Sequence, residues 1–288
     1  MDPIVSPVSI AGMLVSALVS LGLPIFLAIY WHKRTRAKWS AVLVGALTFY
    51  IFVYFLEGGL HVLCLGLMGE TAISAFINAT PWAYVLYAGL AAGVFEETGR
   101  LLAFKLVLRK QTRRETGVMY GIGHGGIEAI IVCAVNMVSS LAFALTLNAL
   151  GAEAMLAQSG GQLAAVQSSI DTLTNTPPGL MFASGLERVS AIFLHIGLSV
   201  LVFAAAHRKG KFYLYPVAIA LHAAVDCFAV LYSIGVIQSL WCIEAGVALM
   251  AALVCCYAYR VYGRDVPPDL PQERQPLDGE PPQKTPAA

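Results

Sequence analysis

Seven stretches of this chain are predominantly apolar for about twenty residues or more, and that feature most constrains what it can become. They lie at about 8–30, 40–67, 81–108, 117–150, 180–206, 212–233 and 239–260. A bilayer core about 30 Å thick takes roughly 20 residues per helix. Each backbone group left unpaired in lipid costs several kcal/mol, so only helices and closed barrels span it, and these runs are too long for barrel strands. The expectation is an all-α, polytopic integral membrane protein with about seven transmembrane helices. Composition agrees, with 58% hydrophobic and 12% charged residues.

Basic residues cluster in alternate loops: Lys33, Arg34, Arg36 and Lys38 in the first, Arg109, Lys110, Arg113 and Arg114 in the third, Arg208, Lys209 and Lys211 in the fifth. Loops two, four and six contain no Lys or Arg. This places the N-terminus outside and the C-terminus in the cytoplasm. The first stretch has no basic residue before it, is too long for a signal-peptide core, and reads as a retained helix. The transmembrane domain is expected over 1–262, followed by a disordered, Pro-rich cytoplasmic tail at 263–288. The loop at 151–179 is polar, and AAVQSSIDTL within it is expected to form a helix on the membrane surface. The six cysteines show no CxxC spacing and are read as packing residues. A net charge of +1 gives no sign of a nucleic-acid partner.

Against this background VFEETGRLLAF, residues 94–104, stands out, because it puts Glu96, Glu97 and Arg100 inside an apolar run. Counting about 1.5 Å per residue from the cytoplasmic basic clusters gives a depth for each intramembrane polar group. Glu96, Glu97, His124, Glu128, His195, His222 and Asp226 fall at roughly 13–22 Å, with Arg100 at about 13 Å. Four helices thus deliver ionisable groups to one slab near mid-membrane. Glu57, His61, Glu187 and Arg188 come out at about 28 Å or more and are expected at the outer interface.

A charged residue at the bilayer centre costs roughly 3 kcal/mol on insertion scales, so a cluster needs a reason. Structural pairing is one: Arg100 can reach Glu96 or Glu97 on one helix face, and His124 with Glu128, or His222 with Asp226, can bond at i, i+4 and bind helices together. Catalysis is another. A carboxylate in a dry cavity can take a proton from water, an imidazole can orient that water or donate to an oxyanion, and a second carboxylate can fix the ring. These are the parts of amide hydrolysis. The HExxH and GxGD signatures are absent, and FASG lacks the first glycine of GxSG. GIGHGG around His124 points to close helix packing, not to a phosphate loop.

EETGR, HGGIE and HAAVD, in that order on separate helices, resemble the three-motif pattern of glutamic-type intramembrane proteases, the superfamily of the CAAX prenyl endopeptidases and PrsW. Within it the chain is most similar to the bacterial YhfC family, over roughly residues 90–230. The resemblance implies that Glu96 is the general base on the attacking water, supported by Glu97 and Arg100, and that His222 and Asp226 stabilise the oxyanion. Glu128 matches the PrsW form of the second motif, whereas His124 and His195 enter on depth alone. The EExxR spacing is one residue shorter than the CAAX form, so no prenylated substrate is implied. On this reading the protein sits in a bacterial cytoplasmic membrane and acts on a membrane-embedded or membrane-anchored protein or peptide, without metal or other cofactor. The rival expectations are a proton- or ion-coupled transporter using the same cluster and a metal-dependent hydrolase in which the His/carboxylate pairs chelate an ion.

Overall fold

The computed structural model describes residues 4–264; the proline-rich tail expected beyond the last helix falls almost wholly in 265–288, outside the described residues. All seven apolar stretches are helical: α1 Pro7–Thr35, α2 Trp39–Cys64, α3 Pro81–Leu102, α4 Glu115–Leu150, α5 Pro178–His207, α6 Leu214–Ser233 and α7 Leu240–Arg264. No strand occurs among the described residues. All but α3 are long and apolar enough to cross a membrane. The exception is long enough but less apolar, because it carries Glu96, Glu97 and Arg100. The protein is therefore a polytopic all-α membrane protein.

The helix ends follow local chemistry. Ser6 caps α1 by accepting from the Ser9 backbone N–H, Pro7 occupies the first turn where no amide partner is needed, and Arg36 ends the helix at φ 59°. The polar loop after α4 carries the expected surface helix, Leu163–Asn175, which buries Ile170 and Leu173 against a cluster containing Met13, Leu147 and Met181.

The central helix is α5. Of its most apolar window 67% is buried inside the bundle, against at most 33% for the other candidate spans. It packs against α1, α4 and α7, while α3 pairs with α6 and α2 with the first half of α4. The glycines of GIGHGG make the last pairing possible: a Cβ on Gly123 would lie 2.1 Å from the Val42 carbonyl oxygen. On the other pair, a Cβ on Gly93 would lie 2.8 Å from the Ile219 carbonyl oxygen. Missing side chains let the backbones meet, as the close-packing reading expected.

Three π-helical segments interrupt the long helices: Tyr50–Glu57 in α2, Ile130–Ala134 in α4, and Ala103–Val107, which continues α3. Each closes wider turns than an α-helix and so resets which face the following residues present. Two of them lie just after polar residues of the cluster described next, Arg100 and Glu128.

Candidate active site

The eight residues singled out by depth meet in one buried cluster. Helix α3 contributes Glu96, Glu97 and Arg100; α4, His124 and Glu128; α5, His195; α6, His222 and Asp226. Glu97, Arg100 and His124 are fully buried, and Asp226 is the most open, its side chain 33% exposed.

Arg100 lies at the centre. Its Nη1 donates to Glu97 Oε1 in a very short contact, and its Nη2 sits 2.7 Å from His195 Nδ1 and 3.5 Å from Glu96 Oε2. A guanidinium can only donate, so His195 Nδ1 is the acceptor and, in the neutral ring, the proton is on Nε2. That nitrogen lies directly against Glu128 Oε2. On α6, His222 Nδ1 is 2.7 Å from Glu97 Oε1, which leaves Nε2 facing Asp226 Oδ2 at 3.5 Å and Glu96 Oε1 at 3.9 Å. His124 Nε2 is 2.8 Å from Glu96 Oε2, and its Nδ1 has no hydrogen-bond partner among the described residues. Phe49 and Tyr120 hold the His124 ring at centroid distances of 5.4 and 5.9 Å.

Some expected pairings form and others do not. Arg100 pairs with Glu97 and Glu96 along α3, and His222 reaches Asp226. The pairing of His124 with Glu128 along α4 is replaced by contacts with other helices, a hydrogen bond from His124 to Glu96 and a close approach of Glu128 to His195. Two of the residues expected at the outer interface are buried within the bundle. Arg188 is 7% exposed and donates from Nη1 to Glu128 Oε1 at 2.7 Å. Glu57 is 5% exposed, 3.3 Å from His61 Nε2, and within electrostatic reach of Glu96 and Asp226. Depth says nothing of which way a side chain faces. The seven-residue spacing of Arg188 and His195, which puts both on one face of α5, was the available signal.

A family model described as YhfC intramembrane metalloprotease matches residues 19–247. The chain belongs to the YhfC family. It is 35% identical over 250 residues to the uncharacterized membrane protein YhfC of Bacillus subtilis (strain 168), covering 86% of this chain and 95% of that relative. No solved structure matches it. Membership of YhfC places the protein among intramembrane proteases and in the membrane, in agreement with the six spans.

The YhfC description also names a metal, and the residues present fit one. Glu96, His195 and His222 each offer a ligand atom, and the three atoms lie within 4.8 Å of one another. Two imidazoles and a carboxylate are a common donor set of catalytic zinc sites. Each of these imidazoles has its other nitrogen against a carboxylate, Glu128 for His195 and Glu97 for His222, as metal-bound histidines usually do.

Proposed function

We propose that this chain is a metal-dependent intramembrane endopeptidase, cleaving a peptide bond of a membrane-embedded or membrane-anchored protein in a bacterial membrane. The observation that carries this reading is the convergence of Glu96, His195 and His222 with Glu128 and Glu97 behind the two rings. It departs from the expectation of a cofactor-free enzyme.

Glu96 Oε1, His222 Nε2 and His195 Nδ1 would hold the ion. A bound divalent ion would lower the pKa of water and polarise the scissile carbonyl. The protein's own groups do the rest. Glu97 and Glu128 keep the two imidazoles in the tautomers that turn a lone pair inward. His124 donates to Glu96 Oε2 and fixes that carboxylate. For His195 Nδ1 to serve as a ligand, Arg100 Nη2, 2.7 Å from it, would have to give it up while Nη1 keeps Glu97. Asp226, the most open carboxylate of the cluster, takes the proton of the attacking water and passes it to the leaving amine.

One observation favours the metal-free alternative, in which Glu96 itself is the base. Arg100 Nη2, 2.7 Å from His195 Nδ1 and 3.5 Å from Glu96, puts a fixed positive charge among the donors. The two readings separate in one experiment. New peptide termini are compared across membranes making wild type or His222→Gln at equal abundance, with metal content measured on the purified proteins. Termini made only by wild type, with a stoichiometric divalent ion that His195→Gln and His222→Gln lose, support the metal reading. Termini made equally by ion-free wild type transfer the chemistry to Glu96 alone. The absence of wild-type-specific termini, with the ion still bound, rejects proteolysis in those membranes.

A further inference from the structure

We propose that Arg188 is a positioning residue for this site, acting through Glu128 on His195. The proposal rests on the site reading above and concerns a group outside the eight clustered residues.

Arg188 is buried on α5, seven residues before His195 on the same helix face. Both ends of its guanidinium are engaged, Nη1 to Glu128 Oε1 at 2.7 Å and Nη2 to Glu187 Oε1 at 2.5 Å. Glu128, on α4, is therefore held at one oxygen by Arg188 and touches His195 Nε2 with the other. Glu187 is 43% exposed in its side chain, so it anchors the outer end of this chain of charges next to solvent or headgroups. Glu244 on α7, buried with an Oε2 that has no hydrogen-bond partner among the described residues, adds a third carboxylate within electrostatic reach of Arg188.

The geometry assigns Arg188 a specific task. Arg188 holds Glu128 at Oε1, and Glu128 Oε2 lies against the His195 ring, so the orientation of that ring toward Glu96 and His222 depends on a carboxylate whose own position is set by Arg188. Without Arg188, Glu128 keeps only the imidazole as a partner among the described residues, and neither the carboxylate nor the ring behind which it stands is fixed.

The test uses full-length protein in lipid nanodiscs without added metal, with 15N-labelled histidines and the His195 signals assigned through His195→Gln. Wild type should show one set of His195 ring signals, and Arg188→Met should broaden or split it, as for a ring no longer held in one orientation. In a Glu128→Gln background Arg188→Met should add nothing, because the effect passes through Glu128. If the methionine variant does not fold, Arg188→Gln, which keeps a donor but no charge, takes its place with the same expectation. A His195 spectrum unchanged by either substitution overturns the proposal, as does an equal effect of Arg188→Met with and without Glu128. A cobalt(II) titration followed by absorbance is run on the same proteins. Binding should weaken about 10- to 100-fold in Arg188→Met, the usual range for losing an outer-shell partner. Wild type that binds no cobalt while His195 still responds to Arg188→Met refutes the metal reading and leaves the positioning role standing.

Discussion

His195 and His222, on neighbouring helices, meet edge to face with ring centroids 5.3 Å apart, and each sets one nitrogen against a carboxylate while turning the other toward Glu96. The carboxylates differ in origin. Glu128 reaches His195 from α4, whereas Glu97 reaches His222 from the residue beside Glu96 itself. Adjacent residues on a helix point about 100° apart, so the EE pair lets one helix supply both a carboxylate that converges with the two histidines and the group behind one of them.

That division of labour predicts the outcome of Glu97→Gln. The donor atoms of Glu96, His195 and His222 all remain, but His222 loses its charged acceptor and Arg100 its closest anionic partner. Metal affinity should fall about 10- to 100-fold, read by competition with a chromogenic chelator. Glu96→Gln, which changes a donor itself, should fall further. Equal affinity of Glu97→Gln and wild type would remove Glu97 from behind His222.

Arg100 should matter for folding as well as chemistry. It is fully buried between two carboxylates, so Arg100→Met leaves Glu97 and Glu96 without their cation. Breaking a buried pair in this way destabilises by about 3–5 kcal/mol. Arg100→Lys should recover only part of the loss, since an ammonium cannot reproduce the fork that reaches Glu97 and His195 together. Thermal unfolding in nanodiscs measures both, and a methionine variant as stable as wild type would mean the cluster is neutral without the arginine.

The packing of α2 on α4 gives a prediction independent of function. In Gly123→Ala the new Cβ meets the Val42 backbone at 2.1 Å, which no rotamer can relieve, so the helices must separate. Overpacking of this kind costs about 1–3 kcal/mol. It should also loosen His124, which sits next in sequence and bonds to Glu96. Gly22→Ala is the control, because nothing lies within 4 Å of its Cβ. Its unfolding temperature should not fall, and a drop equal to that of Gly123→Ala would show that the glycine effect is general to the helices rather than local to this contact.

Much of this arrangement was legible in the sequence because a straight helix converts residue number into depth. Glu96, His124, His195 and His222 could be placed in one layer from that ruler alone. Direction was not legible. Whether His124 bonds along α4 to Glu128 or across to Glu96 depends on which helices flank α4, and those are chosen by glycine contacts with α2 and by the fit of α5. The burial of Glu57 was not legible for a related reason: it ends a π-helical stretch whose wider turns shift the face it presents. The set of converging donors was not legible either, since the spacings HxxxE and HxxxD suggest chelation within each helix, whereas these donors come one each from α3, α5 and α6.

Asp226 separates binding from turnover most directly. It lies one turn after His222 on α6, with Oδ2 3.5 Å from His222 Nε2, and its side chain is the most open of the eight. It is not among the three donors that converge most closely. A proton acceptor must meet both water and the entering peptide, and Glu97 and Glu128 are more deeply buried than Asp226. Asp226→Asn keeps the shape and removes the base. Metal content and unfolding temperature should stay at wild-type values, while the rate at which wild-type-specific termini appear should fall about 10²- to 10⁴-fold, the usual contribution of a general base. Loss of the metal in Asp226→Asn would make Asp226 a ligand rather than the base.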